Sequence, residues 1–161
     1  MKSLKGYKTV KKMDEMRLNC ALAVIQAKRE CIKAAIASCF KLMMSEDMAC
    51  NNLEHAGAPY DLAEVNIMRI YRDNIQDLDQ CFEHFVFDGP LTILYGDEDE
   101  VNFRRCQYGD TNAFRYAIVN HINSLKEIMT TLPYQLTELK SVVSQYIEEL
   151  NNYFKLVRSV A

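Results

Sequence analysis

The sequence predicts an all-α protein, an elongated bundle of three to four long amphipathic helices. Three observations carry that expectation. Apolar residues recur every three or four positions over most of the chain, the helical period. Only 5 Gly and 3 Pro occur in 161 residues, so turns are few. No run of residues reads as the core of a sheet.

The first helix is predicted from about Thr9 to His55. Leu18, Leu22, Ile25, Ile32, Ile36, Cys39 and Met43 step by threes and fours, and Arg29 interrupts them. Six alanines between Ala21 and Ala37 widen the apolar surface and permit close approach of a second helix. Ser45, followed by Glu46 and Asp47, has the form of a new N-cap after a kink.

Gly57 to Pro59 make a short turn, after which Asp61 and Glu64 resemble a carboxylate capping box. The second helix therefore starts near Asp61 and packs antiparallel on the first. Its stripe is Val65, Met68, Tyr71, Ile75, Leu78, Phe82 and Phe85, ending before Asp88-Gly89-Pro90. Residues 88–110 are expected to form an irregular acidic loop. Leu91 to Tyr95 has the length of one strand but no visible partner, and Asp97 to Glu100 are all acidic.

A third helix starts at Asp110 or Thr111, with the stripe Phe114, Ile118, His121, Leu125, Ile128 and Leu132. Beyond it Leu136, Leu139, Val143, Tyr146, Leu150, Tyr153 and Val157 alternate threes and fours without error. Pro133 either opens a fourth helix or kinks one continuous helix of about 46 residues, roughly 69 Å long. With no linker tract and no internal repeat, residues 1–161 are one domain, preceded by a basic arm over residues 1–8.

Charge is unevenly spread. Residues 1–33 carry nine Lys and Arg against three acids, net +6; residues 46–100 carry fourteen acids against two Arg, net −12. The acidic second helix is placed to complement the basic first one. Lys2, Lys5, Lys8, Lys11 and Lys12 offer an arm for an anionic partner, such as a peripheral acidic membrane surface. Nucleic acid is disfavoured because the arm lacks Arg and the chain is acidic elsewhere. No secretory leader and no membrane span is legible: the most apolar run, Cys20 to Met44, includes five charged residues.

Six widely spaced cysteines leave two readings open. A reduced cytoplasmic or nuclear protein would use Cys20, Cys31 and Cys39 as small buried hydrophobes, whereas a secreted protein would pair all six in disulfides.

No cofactor and no metal is expected. None of His55, His84 and His121 follows Glu by three residues, as di-iron helices require. Cys81 and His84 have the helix-face spacing of half a zinc site, which Cys106 would have to complete. Nucleotide-binding and hydrolase motifs are missing, so no catalytic residue is assigned. His121 and Arg29 are the polar interruptions of apolar stripes. A backbone partner is expected for His121, with a general-base role beside Ser124 or Tyr116 as the functional alternative. Arg29 is expected to meet a carboxylate or reach water.

The function these features favour is a non-enzymatic protein–protein interaction or adaptor module. Its partner or second copy would bind the seam Leu136, Leu139, Val143, Tyr146, Leu150, Tyr153 and Val157. The alternative is a small apolar-ligand carrier, or an enzyme of unfamiliar type, with a pocket between helices lined by Met, Phe and Tyr.

Overall fold

The computed structural model describes the backbone of residues 12–55, 62–96, 104–132 and 136–160, and side chains over 12–41, 72–96, 104–110, 112–132 and 136–159. The protein is mostly helical, with four helices and a small antiparallel sheet in the order α1 (Lys12–His55), α2 (Leu62–Glu83), β1 (Phe85–Phe87), β2 (Thr92–Tyr95), β3 (Arg104–Gln107), α3 (Thr111–Thr131), α4 (Thr137–Val160). The basic residues Lys2, Lys5, Lys8 and Lys11 lie outside the described residues; Lys12 is exposed at the start of α1.

α1 runs for 44 residues without a break, about 66 Å. No new helix begins at Ser45: the backbone continues as helix to His55. A cap residue inside a helix is only a competing option for the backbone, and neighbouring turns override it. The predicted inner stripe is real, since Leu18, Leu22, Ile25, Ile32 and Ile36 are all buried. Cys20 and Cys31, expected in the core, are exposed on the opposite side.

α2 stands antiparallel to α1: Lys33 reaches Glu83 at 3.5 Å, the two lying about equally many residues from the facing ends of their helices, His55 and Leu62. The predicted turn Gly57 to Pro59 and the capping residue Asp61 lie outside the described residues. α1 and α4 share the most extensive interface. They too are antiparallel, with Lys28 donating to Gln145 at 2.8 Å while Cys39, further along α1, feels the charge of Glu138, earlier in α4. Asn74 donates to the Thr131 carbonyl at 3.1 Å and Phe82 meets His121, which sets α3 antiparallel to α2.

The region expected as an irregular loop is a three-stranded meander. β1 pairs with β2 from Phe85 opposite Tyr95 to Phe87 opposite Ile93, and β2 pairs with β3 from Thr92 opposite Gln107 to Tyr95 opposite Arg104. Phe85 therefore belongs to a strand, not to the end of α2. Phe82 and Phe85 satisfy a helical period, yet Phe85 and Phe87 equally satisfy the period of two that strands use. Gly89, at φ +138°, turns the chain between β1 and β2 in a region that L side chains avoid. Ile93, Phe85 and Cys106 point from the three strands into the core.

α3 and α4 are two helices. α3 ends at Thr131, and Leu132 is extended at φ −72°, ψ 140°, the conformation a following proline imposes on its neighbour. Pro133 itself lies outside the described residues. No helix among the described residues is long and apolar enough to cross a membrane.

Candidate functional site

The two polar residues that interrupt the apolar stripes come together. Arg29 projects from α1 toward the end of α2, where its guanidinium donates to the Phe82 carbonyl at 2.9 Å. That carbonyl belongs to the last turn of a helix with no basic residue of its own there. The last carbonyls of a helix lack intrahelical partners and carry partial negative charge, so a cation from α1 satisfies both needs. The expected carboxylate partner is thus replaced by a helix terminus. Arg29 Nε is buried with no hydrogen-bond partner among the described residues.

His121, from the middle of α3, is 5% exposed. Its Nε2 lies 3.0 Å from the Tyr146 hydroxyl of α4, a side-chain partner where a backbone one was expected. The imidazole lies flat against Phe85, with centroids 4.0 Å apart and planes 6° apart, and meets Phe82 edge-on. Burial, and then the positive charge of Arg29, push the His121 pKa down to about 3. Tyr146 is raised by burial, with Arg29 opposing. Both groups are therefore neutral at physiological pH, and the hydrogen bond between them is uncharged.

Beside this constellation a cleft of about 700 Å³ opens between α2, α3 and the sheet, and His121 forms part of its wall. α2 supplies Asp77, Gln80 and Cys81, spaced to share one helix face, and His84 follows just past its end, its N–H donating to the Gln80 carbonyl at 2.9 Å. α3 supplies Tyr116, Asn120, Ser124 and Glu127 at the same kind of spacing. Tyr95, Gly96 and Arg104, at the paired ends of β2 and β3, close one end. Cys81 is pushed up to about 11 by burial and then by the charge of Asp77, which keeps it a thiol.

Among the described residues no group of three or more His, Cys, Asp or Glu gathers to hold a metal ion. Cys81 and His84 do face the cleft, whereas Cys106 is buried in the core and hydrogen-bonded to Tyr95. The five described cysteines are free thiols.

The predicted α4 seam is placed differently from its expected use. Leu139, Val143, Tyr146, Leu150, Tyr153 and Val157 are all buried within this chain, and Leu136 is half-buried against the same core. The three-four alternation faces the protein's own interior. Ser124 and Tyr116 both reach the cleft, but neither bonds His121. Asp77, Glu127, Tyr95 and Arg104 carried no signal of their own in the sequence. They become neighbours only when α3 lies along α2 and the strands pair.

The fold is mostly α-helical, with a cleft of mixed polar and apolar lining beside a three-stranded meander. No protein-family model, no curated protein and no solved structure matches the chain.

Proposed function

We propose that this chain is a non-enzymatic binding module whose site is the cleft between α2, α3 and the sheet. The observation that carries the reading is a cavity of about 700 Å³, within the size range of small-molecule sites, with polar groups converging from three elements. A carrier or adaptor role fits better than catalysis because the shifted groups in the wall move away from neutrality. A thiol held near 11 and an imidazole held near 3 exchange no protons around pH 7. The exposed free thiols of Cys20 and Cys31 support a reducing compartment, the cytoplasm or nucleus.

The test is to fill the cleft. Small-molecule fragments are screened by ligand-observed NMR against the full chain and against Ser124→Trp, whose half-buried site allows a large side chain to lie in the groove. Fragments that bind the first and not the second support the reading. Equal binding to both places the ligand elsewhere and defeats it.

A second reading, self-association, rests on the outer face of α1. Cys20, Ala23, Val24, Ala27, Cys31 and Ala34 are exposed at helical spacing with no charged residue among them, while the inner face is already buried. A helix that is apolar on both faces is ordinarily covered on both, and small side chains allow two α1 helices to approach closely. Sedimentation equilibrium should then give a dimer that Ala27→Arg dissociates. A wild-type monomer at every concentration removes this reading.

A further inference from the structure

The charges along the cleft define the kind of ligand it would take. α2 and α3 run antiparallel, Asn74 meeting Thr131 near one end and Phe82 meeting His121 further along. Carried between those two points, the register sets Asp77 opposite Glu127 and Gln80 opposite Ser124. One turn on, His84 falls opposite Asn120. All six line the cleft. The cleft is therefore graded: two carboxylates at one end, neutral polar groups in the middle, and Arg104 at the sheet end.

Neighbouring charges on the same elements are neutralised internally, Glu83 by Lys33 and Asp88 by Arg105 at 2.9 Å. Asp77, Glu127 and Arg104 form no ion pair with any described residue. Asp77 is part of the cleft wall beside Cys81, which lies one turn further along the same helix. Asp77 and Glu127 both carry negative charge on the cleft wall, and an ammonium bound between them is attracted to both. At the opposite end the Arg104 fork suits a carboxylate or phosphate. Between the ends, buried Phe85 and Ala117 contribute apolar surface to the wall.

We propose that the cleft takes an elongated zwitterion, with its ammonium held between Asp77 and Glu127 and its anionic group at Arg104. This rests on the reading of the cleft as a binding site. From Asp77 to Glu83 the rise along α2 is about 9 Å, and an extended tripeptide with free termini spans roughly that length. A dianion would meet the two carboxylates. A wholly apolar ligand would cover the polar side chains of Ser124 and Asn120 without offering them hydrogen bonds.

The experiment titrates the isotope-labelled full chain with the tripeptide Ala-Phe-Ala, its N-acetylated form, its C-amidated form, and indole as a neutral probe. The free tripeptide is expected to shift the amide signals of Cys81, Ala117 and Asn120, and each blocked form to bind about fivefold more weakly. In Asp77→Asn/Glu127→Gln the penalty for acetylation should vanish and that for amidation remain; in Arg104→Gln the pattern should reverse. Equal binding of all three peptides overturns the zwitterion. So does an indole response at these signals without a peptide response, which would leave the cleft as a neutral-ligand site. Silence from every probe overturns both the ligand class and the site.

Discussion

His121 Nε2 and the Tyr146 hydroxyl, 3.0 Å apart, join the middle of α3 to the middle of α4 through an uncharged hydrogen bond inside the core. The imidazole stays neutral there and resists a second proton. Burial opposes the charged form, Arg29 repels it, and the ring is held flat on Phe85.

Stability should therefore fall with acid. The unfolded chain takes up a proton at His121 below the ordinary value of 6.5, while the folded chain does so only near 3. Between these values the unfolded state binds more protons, so stability is intact above pH 6.5 and is lost as pH falls toward 3. The loss should reach about 2 kcal/mol by pH 5. Urea unfolding at pH 7, 6 and 5 measures it, and His121→Gln should flatten the dependence while lowering stability at pH 7.

Tyr146→Phe removes one oxygen and leaves the ring in place. Nε2 of His121 then loses its partner in the core, and the cost should be about 1–3 kcal/mol. In a double-mutant cycle with His121→Leu, the Tyr146→Phe change should cost much less once the imidazole is gone. Additive effects would mean that the two side chains are not coupled.

Leu150 is fully buried in the α4 seam. If the seam serves the chain's own core, Leu150→Ala should destabilise by about 2–5 kcal/mol, by the same amount at every protein concentration. A loss that shrinks as protein is diluted would assign the seam to an interface between copies.

The thiols should differ in reactivity. Cys20 and Cys31 are exposed, Cys81 is half-buried with its pKa near 11, and Cys106 is buried with its pKa raised by burial and then by Asp110. Mass spectrometry after brief alkylation at pH 7.5 should find Cys20 and Cys31 labelled first, Cys81 slowly, and Cys106 only after unfolding.

The helices were legible because each repeats one short-range pattern many times. The stripes from Leu18 to Ile36, Phe114 to Leu132 and Leu139 to Val157 are buried as the period required, apart from half-buried Ile128. The sheet was not legible. β3 reads Arg-Arg-Cys-Gln, with only Cys106 turned inward, so β2 had no recognisable partner until the fold placed that segment beside it. The α4 seam was recognised correctly as apolar, but an apolar stripe does not say whether it meets its own chain or another.

Arg29 and His121 show the same division most clearly. Both stood out in the sequence as polar groups on apolar stripes. Their partners, the Phe82 carbonyl and the Tyr146 hydroxyl, lie 53 and 25 residues away along the chain. Helical period, the scarcity of turns and the charge split were determined by the sequence itself, because they depend on residues three or four apart. Strand pairing, the partners of buried polar groups and the convergence of Asp77, Glu127 and Arg104 on one cleft were decided by tertiary structure. Those relationships exist only once distant segments share a register, and no local pattern of residues encodes that register.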